Sequence, residues 1–340
     1  MSNDTTHGLP KVAILLSPSR REEVLTPEAQ RQLASFASVT ISAQPVLQSG
    51  ELPALLDGAV ACVTGWGTPP LSAELLADFP QLRLVAHTAG TIRRLVPESV
   101  FQGGLHVSHA AAIIADSVAE FVMLQALMYL RRLHEINLHM KNSRTWESIR
   151  EEYPGRLLGN QTVGVVGTGR VGRAVIRLFK AFGSRVLVFD PYLTPEQAEQ
   201  LSVEKASVDD LMAGADIVSL HAPVLPETIG LVGASQFAKL HDNALFINTA
   251  RAPLIDEDAL FQELKTGRIF AALDVYSKEP LPLDNRFRSL PNVLLSPHTA
   301  GHTLDTHLRQ GQAMVDEIQR FLRGEALRYE VTADMLATMA

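Results

Sequence analysis

The fold of this chain is decided by Thr162-Val-Gly-Val-Val-Gly-Thr-Gly-Arg-Val-Gly-Arg173 and by the apolar run that follows it, Arg185-Val-Leu-Val-Phe-Asp190. Gly167, Gly169 and Gly172 form a glycine-x-glycine-x-x-glycine pattern that follows an apolar strand and opens an amphipathic helix. In such a pattern the first glycine permits a tight turn, the second lets the backbone approach a pyrophosphate, and the third lets the helix pack closely on the strand. The two runs therefore predict a βαβ unit that binds a dinucleotide.

The helix and the second strand predict which dinucleotide is bound. The helix from about Arg170, which includes Val171, directs free N–H groups and the positive end of its dipole at the phosphates. Asp190 ends the second strand 18 residues beyond Gly172, where its carboxylate can accept hydrogen bonds from the ribose hydroxyls. Because this carboxylate would repel a 2′-phosphate, NAD is favoured over NADP. Arg170 and Arg173 are either phosphate contacts or ordinary exposed helix residues.

The composition is that of an ordinary globular protein. The chain has 340 residues, of which 46% are hydrophobic and 20% are charged, and this length predicts two domains. The 30 Lys and Arg residues are outnumbered by 37 Asp and Glu residues. Because no basic block appears, a nucleic-acid partner is not expected.

The sequence also predicts a cytoplasmic protein with no membrane span. The single cysteine, Cys62, cannot form an intramolecular disulfide, and its apolar surroundings predict a buried side chain rather than a nucleophile. The polar start, Met1–Pro10, lacks the apolar stretch of a signal peptide. The most apolar segment, Val118–Leu130, is too short for a span and contains Glu120 and Gln125.

Short β-branched runs alternate with longer amphipathic stretches, which predicts an α/β fold with parallel sheets covered by helices. The expected strands are Val12–Leu16, Ala59–Val63, Leu82–Ala86 and His106–Ser108 in a first domain, and Val163–Val166, Val186–Phe189, Ile217–Leu220, Leu245–Ile247, Ile269–Leu273 and Val293–Leu295 in a second, doubly wound sheet. A long helix is expected from Ser117 to Lys141, with Asp116 as its N-cap. A last helix is expected from Thr303 to Arg323, with Gly324 as its stop.

Three further segments follow expected strands, at the edge where doubly wound sheets bind ligands. They are Phe246-Ile-Asn-Thr-Ala-Arg-Ala-Pro253, Ala272-Leu-Asp-Val-Tyr-Ser-Lys-Glu-Pro280 and Leu295-Ser-Pro-His-Thr-Ala-Gly301. Singly, Arg251, Glu279 and His298 could be a surface ion pair, a solvated acid and a strand-end histidine. Together they suit hydride chemistry on a 2-oxo acid: the arginine binds the carboxylate, and the protonated histidine donates to the carbonyl oxygen. The glutamate favours the charged imidazole and orients its ring.

These motifs resemble those of a known family. Asn248-Thr-Ala-Arg-Ala-Pro-Leu-Ile-Asp256, Leu273-Asp-Val-Tyr-Ser-Lys-Glu-Pro280 and Pro297-His-Thr-Ala-Gly301 look like the D-isomer-specific 2-hydroxyacid dehydrogenases, which include phosphoglycerate, glyoxylate and D-lactate dehydrogenases. The similarity runs from about Leu82 to Leu322, with the glycine pattern and Asp190 in step. Four ordered motifs are specific for the family but not for one member.

The resemblance implies a role for each residue of the site. Arg251 would bind and polarise the substrate, His298 would be the acid/base, and Glu279 would be its partner. Asp274 would hold the nicotinamide amide. The cofactor cleft would further be lined by His221, Ala222, Pro223, Thr228, Thr249, Ala250, Arg251, His298 and Gly301.

The resemblance also implies the architecture and the partners. Two Rossmann-like doubly wound domains are expected, with a cofactor domain at residues 109–303 inserted into a discontinuous, flavodoxin-like substrate domain made of residues 1–108 and 304–340. The partner would be a small 2-hydroxy or 2-oxo acid, of the D series. Members are usually homodimers, and the helix at 117–141 would reach across to the second copy.

The expected substrate loop departs from the family pattern. The residues expected at the substrate are Ala89, Gly90, Thr91, Arg251 and His298. The loop Ala89-Gly-Thr-Ile-Arg-Arg94 lacks the usual acid and carries the pair Arg93 and Arg94 instead. Farther on, the usual glycine pair is replaced by Ala252-Pro253, which removes an N–H and stiffens that loop. The chemistry stays plausible, while the substrate is left undefined.

Two other interpretations remain to be weighed. The C-terminal-binding corepressors share this fold and the same three residue types, so an NAD(H)-sensing interaction protein with vestigial activity is the alternative function. The spacing of His298, His302 and His307 follows no zinc pattern and the region lacks cysteine, so no metal site is expected. His302 and His307 are expected at a helix start and at the surface.

Overall fold

The computed structural model describes residues 8–142, 145–336 and 339, so most of the polar segment Met1–Pro10 lies outside the described residues. The chain divides into two compact units. Unit 1 comprises Met1–Ile114 and Thr303–Ala340, and unit 2 comprises Ala115–His302. Unit 2 is thus inserted into the sequence of unit 1, with its ends at 114/115 and 302/303, whereas the sequence suggested 108/109 and 303/304.

Unit 1 is built on one parallel sheet of five strands. These are β1 (Lys11–Ile14), β2 (Ser38–Ile41), β3 (Ala59–Thr64), β4 (Leu84–His87) and β5 (His106–His109), in the order β2-β1-β3-β4-β5. The helices of this unit are α1 (Pro18–Val24), α2 (Pro27–Phe36), α3 (Leu52–Leu56), α4 (Ala73–Ala77), α13 (Leu304–Leu322) and α14 (Ala333–Leu336). The strand order is that of flavodoxin-like folds, as the resemblance implied.

The expectation of four strands in the first domain is wrong, because β2 was missed. This strand pairs in parallel with β1 along Ser38–Ile41. It lies at the edge of the sheet, and its apolar side chains stay open to solvent, with Val39 37% and Ile41 48% exposed. An edge strand with no buried face does not produce the continuous apolar run that identified the inner strands.

Unit 2 is built on a parallel sheet of seven strands. These are β6 (Thr162–Val166), β7 (Arg185–Phe189), β8 (Glu204–Lys205), β9 (Ile217–Leu220), β10 (Leu245–Asn248), β11 (Phe270–Leu273) and β12 (Val293–Leu295), in the order β12-β11-β10-β9-β6-β7-β8. From β8 to β12 this is the doubly wound order 3-2-1-4-5-6 with a seventh strand added. The six expected strands are all present, and the unexpected one, β8, is a two-residue exposed edge strand. Separate apolar cores lie on the two faces of the sheet.

The helices from Ala111 to Lys265 connect and cover this second sheet. They are α5 (Ala111–Arg131), α6 (Leu133–Lys141), α7 (Trp146–Glu152), α8 (Arg170–Ala181), α9 (Pro195–Leu201), α10 (Val208–Gly214), α11 (Ala234–Phe237) and α12 (Glu257–Lys265). The doubly wound architecture predicted from the alternation of runs is therefore confirmed.

The single long helix expected from Ser117 to Lys141 is two helices, α5 and α6. Asp116 is not the N-cap, because α5 already begins at Ala111; the Asp116 carboxylate instead pairs with Arg177 at 3.0 Å. The break lies at Arg132, whose φ of 49° ends the first helix. Side-chain contacts stabilise this left-handed residue: its guanidinium bonds Glu135 and lies over the ring of Phe270, 5.1 Å from its centroid.

The helix α5 is longer than the segment Val118–Leu130 that the sequence singled out. With 21 residues and a mean hydropathy of 1.6, it is long and apolar enough to cross a membrane by composition alone. Half of its apolar window is buried within the protein, and residues such as Ala119, Val122 and Ala126 are fully buried in the core of unit 2. This packing is that of a core helix.

Three single residues test further expectations from the sequence. Cys62 is fully buried in β3, and burial raises the pKa of its thiol to about 12, which confirms the interpretation as an inert core side chain. His307 is 3% exposed, so its expected surface position is wrong. It lies on the inward face of α13, where its Nδ1 is 2.9 Å from Glu23. His302 is exposed, as expected.

Candidate active site

The glycine turn after β6 has the geometry that its sequence pattern requires. Gly167 has a φ of +95°, and a Cβ there would lie 2.8 Å from the carbonyl oxygen of His221. A Cβ at Gly172 would lie 2.0 Å from the carbonyl oxygen of Gly167. By contrast, within the described part of the chain no atom beyond its sequence neighbours lies within 4 Å of a Cβ built at Gly169. Gly167 and Gly172 are therefore needed for packing, and Gly169 faces open space that a pyrophosphate can enter.

The N-terminus of α8 is open to a ligand. In the described residues no side chain caps it, because the N-cap position is Gly169. The later helices α9, α10 and α12 of the same unit are each capped by a side chain, from Thr194, Ser207 and Asp256. The first-turn N–H groups at Arg170 and Val171 can thus bind phosphate, which fits a dinucleotide. Arg170 is exposed, and the Arg173 side chain donates to the Thr168 carbonyl at 2.9 Å.

The carboxylate of Asp190 is oriented next to the glycine turn. Its Oδ2 accepts from the N–H of Thr168 at 2.7 Å and from the hydroxyl of Thr168 at 2.5 Å, and its Oδ1 accepts from the N–H of Tyr192 at 2.9 Å. An ionised carboxylate has about four acceptor positions. Three of them are used, which leaves room for a ribose hydroxyl. The sequence did not identify Thr168 as the residue that orients this acid.

The loop after β9 packs directly on the glycine turn. A Cβ at Gly167 would clash with the backbone of His221 and Ala222. The hydroxyl of Thr228 donates to the carbonyl of Pro223 at 2.6 Å, which closes the loop on itself. Burial lowers the pKa of His221 to about 3, so the ring is neutral, and it bonds the Ser219 hydroxyl at 2.8 Å.

The end of β10 offers a buried hydroxyl to a ligand. The Oγ1 of Thr249 is buried, yet it has no hydrogen-bond partner among the residues that the structure describes. Buried hydroxyls nearly always have a partner, so this one fits the polar edge of a bound cofactor. The neighbouring turn is held by Asn248, which accepts from the N–H of Ala250 at 3.0 Å and donates to the carbonyl of Arg251 at 3.1 Å.

The structure brings Glu279 and His298 together. His298 Nδ1 lies 2.8 Å from Glu279 Oε2, and the other carboxylate oxygen accepts from the N–H of Tyr276 at 3.0 Å. Partial burial opposes ionisation of Glu279, but the hydrogen bonds from His298 and Tyr276 and the charge of Arg251 outweigh it, and the pKa of the carboxyl is lowered. The glutamate is thus ionised and holds the imidazole by one ring nitrogen.

Arg251 lies close enough to this pair to act on its charge. Burial lowers the pKa of its guanidinium, and the nearby carboxylate of Glu279 acts in the opposite direction. One terminal nitrogen, Nη1, donates to the carbonyl of Ala250 at 2.6 Å, which fixes the direction of the side chain. The guanidinium keeps further N–H groups that can bind a carboxylate.

Asp274 lies under the loop that carries His298. It is fully buried; its Oδ1 accepts from the Ser296 hydroxyl at 2.6 Å and from the N–H of Thr299 at 2.9 Å, and its Oδ2 accepts from the N–H of Ala300 at 2.9 Å. The loop needs this support because His298 has a φ of 55°, an unfavourable region for a side chain. Gly301 follows in the same loop. The sequence pointed to Asp274 but not to Ser296.

The expected substrate loop belongs to unit 1. Ala89, Gly90 and Thr91 follow β4, and the carbonyl of Gly90 lies 2.7 Å from the Nδ1 of a buried histidine. Arg93 donates to the carbonyl of Leu336 at 2.6 Å, at the end of α14, and Arg94 is exposed. One member of the arginine pair is therefore a structural contact within unit 1.

Comparisons with known proteins identify the family. Residues 123–300 match the family model described as D-isomer specific 2-hydroxyacid dehydrogenase, NAD binding domain. A glyoxylate reductase from Korarchaeum cryptofilum is 32% identical over 263 residues, which are 76% of this chain and 78% of that protein. A D-3-phosphoglycerate dehydrogenase from Archaeoglobus fulgidus is 33% identical over 262 residues, which are 77% of this chain and 49% of that protein. The crystal structure of a phosphoglycerate oxidoreductase from Rhizobium etli has a TM-score of 0.79 at 30% identity, over 94% of this chain and 97% of that one.

The chain belongs to the D-isomer-specific 2-hydroxyacid dehydrogenase family. Unit 2 contains the residues that match the family's NAD-binding domain, and the cofactor is NAD. The chain spans about half the length of the phosphoglycerate dehydrogenases that it matches.

Proposed function

We propose that this chain is an NAD-dependent dehydrogenase that interconverts a small D-2-hydroxy acid and its 2-oxo acid in the cytoplasm. The observation that carries the proposal is the group of Arg251, Glu279 and His298 in the NAD-binding unit. His298 bonds Glu279 at 2.8 Å, and the charge of Arg251 acts on the same carboxylate. Family membership supports the reaction class, and the geometry supports the roles of the three residues.

The histidine is the proposed acid/base. NAD, when bound, supplies the hydride chemistry at C2 of the acid. In the direction of reduction, His298 donates a proton to the carbonyl oxygen as this oxygen becomes a hydroxyl, and in the other direction it takes that proton back. Because Glu279 occupies Nδ1, Nε2 is the nitrogen that exchanges the proton with the substrate.

The arginine is the proposed anchor for the substrate carboxylate. A guanidinium matches a carboxylate with two parallel hydrogen bonds, and partial burial strengthens the attraction. We further propose that unit 1 is the substrate domain. In that case its loop offers the backbone N–H groups of Gly90 and Thr91 to an acid, and this loop carries no acidic side chain that would repel one.

A panel of short 2-oxo acids assayed with NADH tests the proposal. We expect turnover of at least one acid, and we expect His298→Ala to lower kcat by about 1,000-fold while NADH affinity is nearly kept. The matched control is His241→Ala, because His241 also lies near a carboxylate, at 3.5 Å from Asp216, but takes no part in the site. Equal trace rates for wild type and His298→Ala on every acid would overturn the proposal. Tight NADH binding without turnover would favour the NAD(H)-sensing interaction protein.

We also propose that the chain is a homodimer joined through the helices at 117–141. Three leucines there are open to solvent, with Leu124 50%, Leu133 57% and Leu138 56% exposed. Exposed apolar side chains that form a contiguous patch mark protein interfaces. Sedimentation velocity should give a dimer for wild type and a monomer for Leu133→Glu. Leu283→Glu, at a residue that is 90% exposed elsewhere, should stay dimeric. A monomeric wild type would contradict the proposal.

A further inference from the structure

Two buried histidines end neighbouring strands beside the loop at residues 89–91 of unit 1. His87 is the last residue of β4, His109 is the last residue of β5, and the two are register partners in the parallel sheet. Each is 4% exposed. Because register partners on adjacent parallel strands point to the same face, the two imidazoles lie side by side.

His109 forms a hydrogen bond with the loop at residues 89–91. Its Nδ1 lies 2.7 Å from the carbonyl oxygen of Gly90, and since a carbonyl only accepts, this nitrogen carries a proton. The next residue, Ala110, donates its N–H to the carbonyl of Ala89 at 3.0 Å. Two successive carbonyls of the loop are therefore bonded to the end of β5.

The second histidine, His87, lies against the backbone of the following loop residue, Thr91. It donates to the backbone of Thr91, a bond that favours the charged ring, and its Nδ1 lies 3.0 Å from the hydroxyl of Thr64. Burial and the neighbouring His109 outweigh that bond and lower the pKa of His87 to about 4. The ring of His87 is therefore neutral at neutral pH and places no charge beside His109.

These bonds also fix the direction of the N–H groups. A peptide group is planar and almost always trans, so the N–H of each residue points opposite to the carbonyl of the residue before it. Holding the carbonyls of Ala89 and Gly90 therefore sets the N–H groups of Gly90 and Thr91. Backbone N–H groups bind an anion only at hydrogen-bond distance and near-linear angles, so a fixed backbone is what such a site needs.

We propose that His87 and His109 are positioning residues that set the loop's N–H groups for the substrate carboxylate. This inference rests on the proposed function, in which the loop binds that carboxylate. Neither imidazole is proposed to touch the substrate; each acts through the backbone of the loop. If the pair instead served folding alone, its removal would change stability and leave the Michaelis constant unaltered.

Substitutions at position 109 distinguish a positioning role in substrate binding from a role in folding alone. The assay measures KM and kcat with saturating NADH and with the acid of the panel, pyruvate and glyoxylate included, that the wild type turns over fastest. His109→Leu removes the donor to Gly90 and should raise KM about tenfold, with kcat and NADH affinity changed by less than about threefold. His109→Asn keeps an N–H near the place of Nδ1, and its KM should return to within about threefold of wild type.

A second variant guards against a folding defect. Thr64→Val nearly keeps the shape of the side chain but removes the partner of His87 Nδ1, and it should raise KM about threefold. An unchanged KM in folded His109→Leu and in Thr64→Val overturns the inference and leaves the proposed function standing. An equal rise of KM in the leucine and asparagine variants also overturns it. A wild type without turnover on any acid of the panel shows the failure of the proposed function, and the inference falls with it.

Discussion

Replacing Asp274 with asparagine tests whether this buried carboxylate supports the loop that carries His298. The two side chains have nearly the same shape, but the amide replaces one acceptor oxygen by an NH₂ group. In the native protein one carboxylate oxygen accepts from Ser296 and Thr299, and the other accepts from Ala300. In either orientation of the amide, at least one backbone N–H of the loop therefore faces a donor instead of an acceptor.

The expected cost can be estimated from these three bonds. A buried donor left without an acceptor costs about 1–3 kcal/mol, and the bonds that remain lose the extra strength of a charged acceptor, so the free energy of unfolding should fall by about 3 kcal/mol. A displaced loop also misplaces the imidazole, and an error of about 1 Å in a reacting group costs about 100-fold in rate. Urea unfolding measures the first effect, and steady-state kcat with NADH measures the second.

A matched control is available in the same unit. Asp256 accepts from the N–H groups of Asp258 and Ala259 at 2.9 and 3.0 Å, but it is exposed at a helix N-terminus, where asparagine caps as well as aspartate. Asp256→Asn should therefore keep both stability and kcat. If Asp274→Asn kept its stability and kcat and lost only NADH affinity, the reasoning would be refuted, and the carboxylate would serve the nicotinamide, as the family resemblance implied.

Three further outcomes follow from the described geometry. Asp190→Ala should weaken NAD and reduce discrimination against NADP in calorimetric titration, and equal affinity of the wild type for both would show that this acid does not face the ribose. Gly172→Ala should abolish NAD binding in the same titration, because its Cβ would lie 2.0 Å from the carbonyl of Gly167. Lowering the pH from 6.5 towards 4 should lower the free energy of unfolding by up to about 3 kcal/mol. In this range unfolded His87 takes up a proton, whereas the buried ring, with its pKa of about 4, binds a proton only at the lower end. His87→Asn should lose this part of the slope in urea unfolding.

The buried strands could be predicted from the sequence, and the exposed edges could not. The expected bounds of β9 agree with the structure residue by residue, because this short run is buried throughout, in a sheet that is covered on both faces. The bounds of β12 agree as well, although it lies at the edge of the sheet, because its apolar side chains are half-buried and not exposed. The edge strands Ser38–Ile41 and Glu204–Lys205 have mostly exposed side chains and leave no such run. The helix break at Arg132 depends on contacts with residues far along the chain, such as Phe270, which no local pattern records.

The site also contains residues that the sequence indicated and residues that it did not. Motif spacing indicated Asp190 and Asp274, because each acid ends or follows an apolar strand. It did not indicate Thr168 and Ser296, which hold these acids, because a threonine or serine in a loop has no distinctive pattern. Hydrogen bonds between segments 22 residues apart, such as Ser296 to Asp274, become visible only once the strands are side by side.

The backbone at His298 has an evolutionary consequence. A side chain at a φ of 55° costs about 1–2 kcal/mol relative to glycine. The residue that would make the protein most stable at position 298 is therefore not the histidine that transfers the proton. A laboratory population selected for heat tolerance alone should therefore drift towards glycine or asparagine at 298. A population whose growth depends on the product of the reaction should keep the histidine. The residue found at position 298 therefore shows whether stability or activity was selected.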